Sequence, residues 1–271
     1  MAEVKINPPF GYGEIQALNR QDFVSLYEAG EVPAFAAKSQ ILPLTFSEFL
    51  AAAPQLPIVF IQSSDSEQLM PVVLTGLGGE QSLFANAGEG AKWHWDSQTY
   101  LPAYVRRHPF CMSSLNKQIN EGDDLLVCVE KSHVSDKASK QHVQLFDDDK
   151  PSERWQLIEQ FLQSYQADIH LTRQFVDKLQ SLELFFSLEA SLQPQVGAEP
   201  ISVTGMFGVN EEKLNQLDDA VIAELNRNGY LPRIYAHLQS LQNFQKLLNR
   251  FQENQIKAVM KKPKAEAELI N

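Results

Sequence analysis

The spacing of apolar residues changes character near the middle of this chain. Over roughly the first half they come in short bursts separated by polar turns. Ile58 to Ile61 and Pro71 to Leu77 are apolar, β-branched runs divided by the polar segment Ser63 to Gln68, which predicts antiparallel or hairpin-linked strands. Ser82 to Ala85, Phe110 to Ser113 and Leu125 to Glu130 read as further strands. Trp93-His94-Trp95-Asp96 alternates, so an extended chain there puts both indoles on one face and His94 with Asp96 on the other. Two short helical patterns interrupt the series. One starts at Ser47 and runs through Phe49 and Leu50 to Pro54, where proline ends it for want of an amide donor; the other spans Leu101 to Arg107. Ahead of all these, residues 1–32 combine Gly11, Gly13 and prolines with a helical spacing at Phe23, Leu26 and Tyr27, and read as a packed arm.

The second half opens on a different period. Trp155, Ile158, Leu162, Tyr165, Ile169, Thr172, Val176 and Leu179 follow steps of three and four, one face of a helix of about eight turns. Pro151 suits its first position, and Asp147, Asp148 and Asp149 lie where the helix dipole favours negative charge. Strands Phe185 to Leu192 and Ile201 to Val209 come next, separated by Pro194, Gly197 and Pro200. Asn210 is placed to cap a helix through Leu214, Leu217, Val221 and Leu225 that Gly229 ends. Pro232 then opens a last helix, carried by Ile234, Leu238, Leu241, Leu248 and Phe251 to about Gln255.

These elements predict an α+β fold, mostly antiparallel sheet packed by a long central helix and C-terminal helices. The expected organisation is an N-terminal arm over 1–32, a strand-rich half over 33–150, a helix-strand-helix half over 151–256 that packs with it as one compact unit, and a disordered basic tail over 257–271. One internal similarity bears on this layout. Pro71 to Gly79 aligns without gaps to Pro200 to Gly208, with four identities and three conservative pairs. It reads either as a distant duplication that gives two related lobes or as the chance recurrence of a strand-then-glycine pattern.

Charge narrows the function classes. Lys and Arg total 23 against 34 Asp and Glu, so the surface field repels phosphate backbones and anionic lipid headgroups. General nucleic-acid binding is not expected, and any anion must be met by a local basic patch. The first residues lack the apolar run of a signal peptide, and no apolar stretch approaches the roughly 20 residues that cross a bilayer, so a cytoplasmic protein without a membrane span is expected. Cys111 and Cys128 each sit in an apolar run and read as buried free thiols.

The densest positive spot is Arg106-Arg107-His108, flanked by Tyr100 and Tyr104 and preceded by Trp93 and Trp95. Guanidinium groups grip carboxylate or phosphate bidentately and aromatic walls hold apolar or sugar-like bodies, so these seven residues are the candidate site for an anionic peptide end or small ligand. The plainer reading pairs the arginines with surplus carboxylates and packs the aromatics inside. No catalytic set stands out: Ser132-His133 with Asp136 lacks a nucleophile elbow. No metal spacing does either, since His94 with Asp96, and His133 with His142, would need the fold to bring further ligands. Gly76-Leu77-Gly78-Gly79 lacks the lysine and spacing of a phosphate loop, so no cofactor is expected.

Certain runs taken in order resemble the bacterial SapC family: Pro57 to Phe60, Pro71 to Leu77, Leu83-Phe84, and Trp93 through Tyr100 to Phe110. Leu145-Phe146, the long helix with Phe161, Leu162 and Tyr165, and Thr204 to Glu211 with Leu214, Leu217, Tyr235, Ala236, Leu238, Ser240 and Leu241 continue the resemblance, which covers about residues 33 to 250. Its most specific run is Pro102 to Phe110. The resemblance implies no catalytic residue set. It implies an accessory setting, because such proteins are often encoded beside tryptophan-halogenase-like proteins, cupin-like oxygenase homologues and TonB-dependent receptors. Three readings follow: a non-catalytic accessory or binding protein for a peptide or small anionic ligand, a structural component of a bacterial surface layer (S-layer), or an enzyme of unknown reaction. Phe161 and Phe175, beside the main stripe of the long helix, also raise a homodimer.

Overall fold

Ile58, Val59 and Phe60 are all fully buried, and three consecutive inward positions on one strand require cover on both faces. The computed structural model, which describes residues 7–63, 68–78, 81–113, 125–139, 142–147, 150–192 and 201–261, places this strand at the centre of the largest sheet. Five antiparallel strands run in the order Phe185–Leu192, Ile201–Val209, Ile58–Gln62, Leu69–Leu74 and Ile41–Pro43. The two similar segments are thus strands of one sheet, on either side of Ile58–Gln62.

Three three-stranded sheets accompany it. Ile15–Ala17, Leu126–Glu130 and Phe110–Ser113 form one; Val134–Ser135, Phe23–Ser25 and His142–Gln144 another; Glu31–Val32, Trp93–Trp95 and Ala85–Ala87 the third. The arm therefore differs from its expected form. Phe23–Ser25 is a central strand, not a helical turn, because Val24 is fully buried and its backbone is paired on both sides. Cys111 and Cys128 face each other across an antiparallel pair, both buried and free.

The long helix runs from Glu153 to Ser181, 29 residues and about 43 Å. Its N-cap is Ser152, whose hydroxyl accepts from the Trp155 amide at 3.1 Å; Pro151 lies outside the helix, in a two-residue bridge of Phe146–Asp147 with Lys150–Pro151. Asp148 and Asp149 lie outside the described residues. One face of this helix serves two sheets. Trp155 and Leu162 pack with Phe110 and Val129, Tyr165 packs with Cys111 and Cys128, and Phe175, Val176 and Leu179 pack with the five-stranded sheet. Phe175 is therefore core, and Phe161 is half-buried under Arg106; neither is the free dimer surface their spacing suggested. The apolar residues the helix does expose are Leu157 and Leu171.

The C-terminal helices are more broken than their apolar spacing implies. Asn210 does cap, accepting from the Lys213 amide at 2.9 Å, but that helix ends at Leu214, and a second spans Asp219–Arg227. The final stretch divides into Tyr230–Ser240 and Asn243–Lys261, so Lys257 and Lys261 belong to helix rather than to a tail. Residues 262–271 lie outside the described residues. No helix among the described residues is long and apolar enough to cross a membrane.

Candidate functional site

Arg107 occupies the turn between the short helix Ala103–Arg106 and the strand Phe110–Ser113. That helix is anchored by Glu48, buried behind it. One Glu48 oxygen accepts from the Ala103 amide at 2.6 Å and the Tyr100 hydroxyl at 2.9 Å; the other accepts the Thr45 amide and hydroxyl. Four donors satisfy this carboxylate, so it positions the turn and is not available to Arg107.

The Arg107 guanidinium instead lies inside a cage of tyrosine rings. Its carbon is 4.3 Å from the Tyr104 centroid, 4.9 Å from Tyr165 and 5.4 Å from Tyr12. The residue is only 8% exposed, its Nε has no hydrogen-bond partner, and no ion pair reaches it among the described residues. Burial is the largest influence on its protonation and disfavours the charge, but the tyrosines act the other way and the net direction is up from the ordinary arginine value. Burial also raises all three phenols, Tyr104 to about 12, so the cage is neutral around a cation. Cation–π attraction is worth up to about 2 kcal/mol per ring when desolvated.

A cavity of about 580 Å³ lies against this cage. Tyr104, Arg107 and Tyr165 line it, with an apolar wall of Leu44, Met70, Met112, Ile169 and Val176, and with Phe10 and Arg173, both exposed, also on its lining. Among the described residues none that lines it is acidic, in a chain with 34 Asp and Glu. The long helix supplies positions 165, 169, 172, 173 and 176, steps of four, three, one and three on one face, at the place where the helix passes from one sheet to the other. Chemically, this is a buried fork of N–H donors beside an apolar chamber, suited to a carboxylate or phosphate carried on an apolar body.

The other expected site residues are dispersed. Arg106 is exposed; its Nε donates to the Leu101 carbonyl at 3.1 Å and its guanidinium stacks 5.2 Å from the Phe161 centroid. Tyr100 is tied to Glu48 and lines none of the cavities described here. Trp93 and Trp95 belong to their three-stranded sheet and to the main core, with the Trp95 indole donating to the Thr99 carbonyl and stacked on Phe84. They line neither cavity beside Arg107, because the strand that carries them turns its indoles inward. Among the described residues neither arginine pairs with a carboxylate, contrary to the plainer expectation.

His108 points to the other side of the turn, into a cleft of about 380 Å³ that Arg106, Arg107 and Phe161 also line. Its Nε2 lies 2.8 Å from Glu130 Oε2. Burial, outweighing Glu130, holds His108 down at about 4, so at neutral pH this contact is an imidazole N–H donating to a carboxylate rather than an ion pair. Burial pushes Glu130 up, but hydrogen bonds from Ser132, His108 and the Gly13 amide outweigh it and leave it below the usual range.

Tyr12 and Tyr165 complete the cage and were not singled out from sequence as site residues. Tyr165 was legible only as one member of a core stripe. Tyr12 carries a clearer signal, the flanking Gly11 and Gly13: Gly11 takes φ +79°, and a Cβ there would collide with the Phe35 ring, while the Gly13 amide approaches Glu130.

No curated protein and no solved structure matches the chain. A family model described as SapC matches residues 18–247, a span that contains Tyr104, Arg107, Tyr165 and His108 and extends further toward the N-terminus than the sequence runs quoted above. That match covers most of the 271 residues, and the chain belongs to the SapC family.

Proposed function

We propose that this protein is a non-catalytic binding protein, acting in the cytoplasm as an accessory of a modification or uptake system, that holds a small ligand or peptide by an anionic group at Arg107. One observation carries the reading: among the described residues, a buried guanidinium without an ion-pair partner lines a cavity with no acidic side chain on its wall, in a strongly acidic protein. A cation removed from water is normally paired with protein charge. Here the tyrosine rings surround it, and its Nε–H has no protein partner among the described residues. The apolar wall favours an aliphatic or aromatic body behind the anionic head, and the overall negative field selects against polyanions that cannot enter the cavity.

The test is calorimetric titration of the purified protein with decanoate, N-acetyltryptophan and their primary amides, with inorganic phosphate as a headgroup probe. Carboxylates are expected to bind at least about tenfold more tightly than their amides, the difference a charge-assisted bidentate contact supplies. Arg107→Met, which keeps an unbranched apolar stem and removes the charge, is expected to abolish that preference, while Arg106→Ala keeps it. Carboxylates and amides binding alike, or an Arg107→Met variant with wild-type preference, would overturn the reading.

A further inference from the structure

Beyond the turn from Arg107, side chains from three separate segments meet. His108 follows the short helix, Glu130 ends the strand Leu126–Glu130, and His133 closes the 3₁₀ turn Lys131–His133. One donor atom from each lies within 4.8 Å of the other two. We propose that His108, Glu130 and His133 form a binding site for a divalent transition metal, independent of the Arg107 reading.

Two imidazoles and one carboxylate form a borderline nitrogen and oxygen donor set, the kind that selects zinc, iron, cobalt or manganese over calcium or magnesium. The surrounding contacts hold the ligands as metal sites require. Nδ1 of His133 is 2.9 Å from the Ser25 hydroxyl and 3.0 Å from the Ser25 carbonyl, and Nε2 is 3.2 Å from the Tyr27 hydroxyl; with the N–H on Nδ1 directed at the carbonyl, Nε2 offers its lone pair. Glu130 Oε1 accepts from the Ser132 hydroxyl at 2.6 Å, and Oε2 accepts from the Gly13 amide at 3.1 Å. The His108 side chain is 2% exposed and its Nδ1 has no hydrogen-bond partner, so the protein alone does not meet the polar demand of that ring.

Access and geometry agree. His133 and Tyr27 line a cleft of about 520 Å³, and His108 and Tyr27 line the cleft of about 380 Å³, so the cluster is reached from two sides. Ligand atoms about 2.0–2.1 Å from a tetrahedral ion stand roughly 3.3 Å apart, so no separation within the cluster need contract by more than about 1.5 Å. His133, half-exposed on its short turn, is the member free to close that distance. Three protein ligands leave at least one position open, which marks an exchangeable site rather than a closed structural one.

The test uses the full chain, stripped with EDTA, and titrated with Co²⁺ and then Zn²⁺. The expected result is one Co²⁺ per chain with visible ligand-field absorption, lost on adding one equivalent of Zn²⁺. His133→Ala and Glu130→Gln are expected to weaken Zn²⁺ binding by at least roughly 100-fold, the upper end of what losing even an outer-shell partner costs. His170→Ala, on the long helix, is expected to bind as wild type. Circular dichroism verifies that each variant is folded, and the exposure of His133 makes that variant the decisive one. No saturable Co²⁺ or Zn²⁺ binding below about 1 mM, the floor of a useful affinity, would overturn the site. So would binding that survives His133→Ala, or a preference for Mg²⁺ or Ca²⁺.

Discussion

Arg107 and His237 are both buried polar side chains, and they are treated oppositely. His237 is fully enclosed under the five-stranded sheet and uses both nitrogens: Nδ1–H donates to the Ile58 carbonyl at 2.8 Å, and Nε2 accepts the Val209 amide at 3.0 Å. Ser240, one turn on, accepts the Ile58 amide at 2.9 Å. The helix Tyr230–Ser240 is thereby stapled to two adjacent strands. Arg107 has three ring faces, an unpaired Nε and a cavity beside it. A buried group whose hydrogen bonds are complete is explained by the fold alone. One whose bonds are incomplete beside a chamber needs a further explanation, such as a bound ligand, water or ion.

The sharpest way to break this contrast is His237→Leu. It strands the Val209 N–H and the Ile58 carbonyl, and is expected to lower unfolding free energy by about 3 kcal/mol in urea titrations, since each orphaned buried group costs on the order of 1–3 kcal/mol. A loss below about 1 kcal/mol would show that the staple is dispensable.

Acid comes next in size. Burial holds His237 at about 4 in the folded chain, against an ordinary value near 6.5, with its bond to Ile58 only partly opposing. Between those two values the unfolded chain binds a proton that the folded chain does not, so this contribution is complete above about pH 6.5 and is lost as the pH falls toward 4. A shift of that size corresponds to roughly 3 kcal/mol at pH 4. Urea midpoints for wild type should fall more steeply over that window than those of His237→Leu, and equal slopes would refute the assignment.

Smaller effects sharpen the other side. Arg107→Met removes a desolvated charge and its cation–π attraction together, two opposed contributions, so stability is expected to change by less than about 1 kcal/mol even as anion preference disappears. Tyr12→Phe loses the hydroxyl bond to the Phe110 carbonyl at 2.8 Å and is expected to cost about 1 kcal/mol while keeping the ring over Arg107. Arg106→Ala, at an exposed position, should shift stability by no more than about 0.5 kcal/mol, measured by the same titrations.

Strands and helices were legible where their signal was local. Phe110–Ser113, Phe185–Leu192 and Ile201–Val209 lie where their apolar runs place them, and the long helix follows its stripe. Phe23–Ser25 was misread as helical because three residues show no period, and its strand state comes from partners more than a hundred residues away. The break between Leu214 and Asp219 was hidden because Leu217 and Val221 keep helical spacing across it. Of the expected site, Tyr104, Arg106, Arg107 and His108 stand beside cavities, whereas Trp93, Trp95 and Tyr100 serve packing and local hydrogen bonds. Adjacency in sequence placed seven residues together; a helical turn followed by a strand sends successive side chains in different directions.

The sequence by itself determined the α+β class, the long helix, most of the strand runs and the family, because these depend on period and order along the chain. Tertiary structure alone decided which arginine is buried, that Tyr12, Tyr104 and Tyr165 close around it, and that His108 meets Glu130 and His133. Those contacts join residues up to 95 positions apart, and burial, ring geometry and donor satisfaction are properties of the packed arrangement that no local pattern encodes.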